Sequence, residues 1–202
     1  MLHLSTVDDK TINLLRKLQS LPELQHTRLV GGTALALQIG HRKSIDLDLF
    51  GLLQTEPLEL TGIVRKIGSL IVLKDSHRIH SYVLEGVKVD IIQYEYPWLN
   101  DLFVVDDIRM AGLEDIAAMK VMAVVGRGTK KDFIDIAFLL RYFSLSEMLE
   151  YYSRKYPEAS LFMAVKSLAY FEDAEKEVSP FMLKPVSWEN IKEQIREEVK
   201  RL

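Results

Sequence analysis

Residues 31–50 read GGTALALQIGHRKSIDLDLF, and this stretch decides the fold of the chain. Just before it, residues 28–30 (RLV) predict a short buried strand. Gly31 and Gly32 predict a turn, because glycine adopts backbone conformations that other residues avoid. The apolar run that follows stops at Gly40, which is typical of a helix that ends at a glycine. The stretch therefore opens with a strand, a turn and a helix.

Residues 44–50 (SIDLDLF) alternate between apolar and polar side chains, the pattern of a strand with one buried face. Side chains two residues apart on a strand point to the same side, so Asp46 and Asp48 are expected to stand next to each other. The opposite face would be anchored in the core by Ile45, Leu47 and Leu49. Two adjacent carboxylates repel each other, so such a pair needs either solvent or a bound cation.

A third carboxylate, Asp90, lies in the strand-like run of residues 87–92 (VKVDII). The apolar side chains of this run share one face, so Asp90 points the other way and could converge with the aspartate pair. Three carboxylates on one sheet face can hold two metal ions, one activating an acceptor hydroxyl and one neutralising a triphosphate. The sequence therefore predicts Asp46, Asp48 and Asp90 as catalytic metal ligands. Mg²⁺ is the expected ion, with Mn²⁺ as the alternative.

The glycine turn supplies a complementary feature for binding phosphate. Gly31 and Gly32 let the backbone approach a phosphate closely, and Thr33 stands at the start of the following helix, whose free N–H groups favour an anion. Metal ions on one side and helix N–H groups on the other predict a cradle for the triphosphate of an NTP.

The rest of the chain predicts an α+β protein with a mixed sheet first and helices second. An amphipathic helix is expected over residues 8–20 and another over 58–68, with strands over 69–74, 78–84 and 86–93. From residue 108 onward the pattern is helical. We expect an α/β core over 1–107 and a helical region over 108–202 that packs on it.

Composition excludes several classes of protein. With 48% hydrophobic residues the 202-residue chain can bury a core, and a net charge of -3 does not indicate a nucleic-acid or membrane partner. There is no cysteine, which excludes disulfide scaffolds and thiolate sites. The beginning of the sequence lacks the pattern of a signal peptide, and no stretch is apolar enough to span a bilayer, so a cytoplasmic location is expected.

Residues 31–50 resemble the opening motif of the polymerase-β-like nucleotidyltransferase superfamily, most closely the AbiEii/AbiGii toxin-type nucleotidyltransferases. VKVDII resembles the third-carboxylate strand of that family. The later residues Lys120, Arg127, Lys131, Asp132 and Asp135 resemble its helical motif. The resemblance spans roughly residues 28–141.

The resemblance implies roles for individual residues. Asp46, Asp48 and Asp90 would bind metal, and Gly31, Gly32 and Thr33 would contact the triphosphate. Lys120 would bind phosphate, with Asp132 in a supporting polar role. Arg42 and Ser44 lie inside the motif and would shape the pocket or bind phosphate.

Several motifs have competing interpretations. An EF-hand loop beginning at Asp46 fails, because Pro57 stands where the bidentate glutamate is needed. Residues 126–130 (GRGTK) do not form a phosphate loop of the GxxxxGK[ST] kind. Residues 129–132 (TKKD) could be a capping box, with Lys131 and Asp135 as an i,i+4 pair. His77 and His80 are interpreted as surface residues rather than a metal pair.

Together these features predict a metal-dependent enzyme that transfers a nucleoside monophosphate from an NTP to a hydroxyl of RNA, tRNA, protein or a small molecule. The resemblance implies a toxin of a toxin–antitoxin or phage-defence system, with a cognate antitoxin as partner. One alternative is a non-catalytic module that retains the fold and binds a nucleotide or a partner. Another is an aminoglycoside-type nucleotidyltransferase, in which Glu172, Asp173 and Glu175 would line an acidic pocket.

Overall fold

A computed structural model describes residues 1–202 of the chain. The strands are β1 Thr27–Leu29, β2 Leu47–Gly51, β3 Leu70–Asp75, β4 Ile79–Leu84, β5 Val87–Gln93, β6 Phe103–Val105 and β7 Ile108–Met110. The helices are α1 Asp9–Gln19, α2 Gly31–Ile39, α3 Pro57–Arg65, α4 Leu113–Gly126, α5 Lys130–Leu139, α6 Leu145–Lys155, α7 Leu161–Leu168, α8 Glu172–Glu175 and α9 Trp188–Lys200. The predicted α+β class is confirmed, because the strands come first in the chain and most of the helices follow them.

All the strands form one mixed sheet of seven strands in the order β3-β4-β5-β2-β1-β7-β6. Two neighbouring pairs, β2 with β5 and β1 with β7, run parallel, and the other neighbours run antiparallel. The sequence-adjacent strands β4 and β5 are joined by the turn at Glu85 and Gly86, as the sequence predicts. The sheet therefore brings β2 and β5, which carry Asp48 and Asp90, together at its centre.

The chain folds into two compact units, of which the first comprises Met1–Glu95 with Leu102–Ala111 and the second Tyr96–Asp101 with Gly112–Leu202. The division expected from the sequence, at residue 107, falls between β6 and β7, which both belong to the first unit. None of the helices combines the length and the apolar composition needed to span a bilayer.

The core of the first unit is built on the buried face of the sheet. Leu47 and Leu49 of β2 and Val89 and Ile91 of β5 are fully buried, as the period-two pattern predicts. The apolar residues of α2 are buried with them, and α2 ends at Gly40, which has φ +66. The predicted helix that ends at a glycine is therefore confirmed.

The predicted strand at residues 44–50 is partly wrong, because the strand begins only at Leu47. The backbone before it bonds outside the sheet, since the Ser44 N–H donates to the Thr6 carbonyl at 2.9 Å and the Asp46 carbonyl accepts from the Thr33 hydroxyl. Ile45 is 67% exposed and does not anchor the core, contrary to expectation.

In the second unit, a buried ion pair holds the short segment Tyr96–Asp101. Lys155 and Asp115 are fully buried and lie 2.6 Å apart. The Lys155 ammonium also donates to the Pro97 carbonyl at 2.8 Å, while Asp115 accepts from the backbone N–H groups of Leu99 and Asn100. The segment is therefore tied to α4 and α6 by charged hydrogen bonds.

Candidate active site

Asp48 and Asp90 are neighbours across the parallel pair of β2 and β5. The two residues are register partners, and neighbouring strands lie about 4.8 Å apart. Because the residues that flank each aspartate are buried on the opposite face, both carboxylates stand on the same, more open face of the sheet. The arrangement predicted for these two residues is therefore present.

Asp46 lies ahead of β2, outside the ladder, and is half-buried. No three acidic or histidine side chains of the described chain are grouped tightly enough to hold a metal ion. The three predicted ligands are thus not preassembled as a set. The pair of Asp48 and Asp90 nevertheless fits Mg²⁺, which proteins commonly bind through one or two carboxylates together with substrate phosphates and water.

Asp90 is fixed by two further side chains that the sequence did not single out. The Ser81 hydroxyl on β4 donates to Asp90 Oδ1, and the Lys88 ammonium lies 2.6 Å from Asp90 Oδ2. Burial opposes the charged form of Lys88, but the hydrogen bond to Asp90 and the charges of Asp90, Asp48 and Asp46 outweigh it and raise its pKa. The only sequence signal for Lys88 was its place two residues before Asp90, on the same strand face.

Gly31 packs directly against Asp48. Its φ is +68, and a Cβ at this position would lie 3.1 Å from Asp48 Cγ and overlap Oδ2. Only glycine therefore fits without strain and without displacing the carboxylate. The first helical hydrogen bond of α2 runs from the Ala34 N–H to the Val30 carbonyl, so the N–H groups of residues 31–33 precede the helical ladder. The start of α2 and the aspartate pair are therefore adjacent.

Gly32 packs against Arg42, whose side chain is buried. A Cβ at Gly32 would lie 3.2 Å from Arg42 Cζ and closer still to Nη2. Arg42 also donates from Nη1 to the Lys43 carbonyl at 3.0 Å. The guanidinium thus lies against the backbone at the start of α2, where it can add positive charge to the helix N-terminus.

Thr33 and Ser44 have buried side chains that face each other. Their hydroxyl oxygens lie 2.8 Å apart, and the Thr33 hydroxyl donates to the Asp46 carbonyl. These hydroxyls tie the segment before β2 to α2. Both side chains are therefore engaged in holding the segment that contains Asp46.

The predicted phosphate residue Lys120 lies in the second unit, in a buried charge cluster. Its ammonium is 2.6 Å from Asp135 and 3.1 Å from Asp132, and both carboxylates are fully buried. Burial alone would raise the pKa of Asp132, but hydrogen bonds from Arg127 and the charges of Lys120 and Arg127 hold it well below the ordinary range. The Asp132 carboxylate is therefore charged, and Lys120 and Arg127 balance its charge within the same unit.

Two minor interpretations of the sequence are wrong. Thr129 is the N-cap of α5, but its hydroxyl bonds to the Asp132 carboxylate and makes no cap hydrogen bond, so residues 129–132 are not a capping box. His80 is buried rather than on the surface, and its Nδ1 lies 2.6 Å from Asp75 Oδ1. In both cases a carboxylate side chain has taken the place of solvent or of the backbone N–H.

Comparisons with known proteins show the family of the chain. The family model described as nucleotidyl transferase AbiEii toxin, type IV TA system, matches residues 13–201. An uncharacterised protein of Aquifex aeolicus (strain VF5) is 37% identical over 197 residues, which cover 92% of this chain and 92% of that protein.

Two solved structures share the fold. MenT4, a nucleotidyltransferase toxin of Mycobacterium tuberculosis H37Rv, superposes with a TM-score of 0.65 at 12% identity, covering 96% of this chain and 83% of that one. JHP933 of Helicobacter pylori superposes with a TM-score of 0.58 at 19% identity, covering 96% of this chain and 92% of that one. Because the family match covers nearly the whole sequence, the chain belongs to the AbiEii family of nucleotidyltransferase toxins.

Proposed function

We propose that the protein transfers a nucleoside monophosphate from an NTP to a hydroxyl acceptor and releases pyrophosphate. The observation that carries this proposal is the adjacency of Asp48 and Asp90 on parallel strands, next to the glycine turn that opens α2. Carboxylates for a divalent cation and N–H groups for phosphate are the two features that nucleotidyl transfer requires at one place.

Asp46, Asp48 and Asp90 would hold Mg²⁺, or Mn²⁺ in its place. Bound there, the cation would neutralise the triphosphate and lower the pKa of the acceptor hydroxyl. The N–H groups of Gly31, Gly32 and Thr33 would donate to phosphate oxygens.

Charge and positioning would then drive the transfer. Arg42 and Ser44 would shape this end of the pocket. Asp90 would orient the acceptor or take its proton while the acceptor oxygen forms a bond to the α-phosphorus and the bond to pyrophosphate breaks.

The physiological role that we propose is that of a toxin in a toxin–antitoxin or phage-defence system. The family membership supports this role. The protein would act in the cytoplasm, where NTPs are available, on an RNA such as tRNA, on a protein or on a small molecule. A cognate antitoxin would oppose it.

The test pairs each α-labelled NTP with tRNA and with whole-cell extract, in the presence of Mg²⁺ or of EDTA. Asp48→Asn and Asp90→Asn should each reduce label transfer about 100-fold or more, since each removes a charge from the reacting centre. Asp107→Asn is the matched control, because Asp107 is an exposed carboxylate in the turn between β6 and β7 of the same unit.

Transfer that survives both substitutions would refute the proposed chemistry. Binding of NTP and Mg²⁺ in calorimetry without label on any acceptor would instead favour the non-catalytic module.

A further inference from the structure

The Lys88 ammonium lies beside Asp90, where the proposed function places a divalent cation. It lies two residues before Asp90 on β5, so both side chains project from the same face of the strand. Its ammonium is 2.6 Å from Asp90 Oδ2, while the Ser81 hydroxyl holds Oδ1. The Lys88 ammonium therefore neutralises the oxygen of Asp90 that Ser81 leaves available.

The surroundings of this ammonium are strongly acidic. The charges of Asp46 and Asp48 act on it in addition to that of Asp90. A divalent cation bound by Asp48 and Asp90 would compete with the ammonium for the same oxygen and would repel it at short range. A cation at the aspartate pair would consequently weaken the Lys88–Asp90 contact.

The Lys88 side chain is exposed and flexible enough to move away from Asp90. Its side chain is 48% exposed, against 18% for that of Asp90, and a lysine carries its charge on a flexible four-carbon stem. The charge of Asp48 acts on this ammonium, and Asp48 packs against Gly31 at the start of α2. An ammonium released from Asp90 would find a new partner in a phosphate oxygen of an NTP bound there, which lysine binds as a point charge.

We propose that Lys88 is a positioning residue that exchanges partners: it neutralises Asp90 in the nucleotide-free site and binds a phosphate of the NTP once a divalent cation occupies the aspartate pair. This inference rests on the proposed function. The exchange keeps the acidic face neutralised before the substrate arrives and recruits the same charge to the substrate afterwards.

The proposal predicts opposite effects on two ligands. In Lys88→Met the competing ammonium is gone, so Mn²⁺ alone should bind about threefold more tightly or better. The same variant lacks the phosphate contact, so the NTP in the presence of Mg²⁺ should bind about tenfold more weakly. If Lys88 had only a structural role, Lys88→Met would lower the affinities for both ligands together.

The experiment titrates Mn²⁺ into the nucleotide-free 202-residue protein by electron paramagnetic resonance and titrates the four Mg²⁺-NTPs by calorimetry. Lys88→Arg keeps the charge and should retain most of the NTP affinity. Lys74→Met, which removes an exposed lysine of β3 in the same unit, is the matched control and should change neither affinity. Thermal unfolding of each variant verifies that it is folded.

The proposal is overturned if Lys88→Met changes both affinities in the same direction or changes neither. Should Lys88→Met fail to fold, Lys88→Arg decides, because a tenfold loss of NTP affinity in that variant also contradicts the exchange. Asp48→Asn separates this inference from the proposed function. If Asp48→Asn binds Mn²⁺ like the wild type, the proposed function fails. If it loses Mn²⁺ while Lys88→Met behaves like the wild type, only the exchange fails.

Discussion

Replacement of Gly31 by alanine should displace Asp48 and destabilise the protein. Two effects add at this position. The φ of +68 costs a residue with a side chain about 1–2 kcal/mol. The new methyl group would also lie 3.1 Å from Asp48 Cγ and overlap Oδ2, so the carboxylate must move from its present position.

Two other glycines of the same unit separate these effects. Gly86 has a φ of +80 with nothing within 4 Å of an added Cβ. Gly86→Ala therefore has only the cost of placing a side chain on a backbone with positive φ. Gly62 lies inside α3 and also has nothing within 4 Å, so Gly62→Ala should stabilise the protein by about 0.5–1 kcal/mol through helix propensity.

The free energy of unfolding in urea and the Mn²⁺ affinity should be measured for all three variants. We expect Gly62→Ala to be more stable than the wild type and Gly86→Ala to be about 1–2 kcal/mol less stable, both with unchanged Mn²⁺ affinity. Gly31→Ala should be at least as destabilised as Gly86→Ala and should lose about tenfold or more in Mn²⁺ affinity, as expected when a ligand carboxylate is misplaced. If Gly31→Ala binds Mn²⁺ like Gly86→Ala does, the reasoning that links this turn to Asp48 is refuted.

Three further predictions test individual contacts. Asp132 has a folded pKa below its ordinary value of 3.8, so its contribution to stability is complete above that pH and is lost as the pH falls below it. Asp132→Asn should therefore be less stable near pH 7, and its urea midpoint should fall less than that of the wild type between about pH 5 and about pH 3. Thr33→Val leaves the Asp46 carbonyl without its hydroxyl donor and should lower the unfolding free energy by about 1–3 kcal/mol, whereas Thr33→Ser should restore most of it. Lys155→Met strands the buried Asp115 charge and should cost about 3–5 kcal/mol, but the double variant with Asp115→Asn should cost less than the sum of the single changes in a urea double-mutant cycle.

The centre of the fold was predictable because the period-two pattern reflects a real difference between two faces. Leu47 and Leu49 alternate with Asp48 in the same way as Val89 and Ile91 alternate with Asp90, and all four apolar side chains are fully buried. Once both strands join one sheet with their apolar sides in the core, the two aspartates must share the opposite face.

The residue at which β2 begins was not predictable from that pattern. Ile45 continues the alternation, yet it is 67% exposed because the chain at residues 44–46 bonds to Thr6 and Thr33 instead of to a strand. Where a ladder ends depends on tertiary hydrogen bonds, which side-chain periodicity does not report.

The burial of ionisable side chains was the second feature that could not be predicted from the sequence. Lys155 and Asp115 were not singled out from the sequence, and both are fully buried against each other. His80 reads as a surface residue and is buried beside Asp75. Local sequence predicts exposure for such residues because an unpaired charge avoids the core, and the partner that reverses this preference lies 40 positions away in the case of Lys155.

The chain passes between the two units three times, after Glu95, after Asp101 and after Ala111. Cutting the chain at any single position therefore cannot give two fragments that each contain one complete unit. A fragment that stops at Ala111 carries the 96–101 peptide but lacks Asp115 and Lys155, so the amides of Leu99 and Asn100 lose their carboxylate acceptor and Trp98 loses the ammonium that lies 4.4 Å from its ring centroid. A chimaera that takes its second unit from a homologue must therefore include this peptide together with the helices. Its sequence junctions should be placed at both ends of the 96–101 peptide as well as after residue 111.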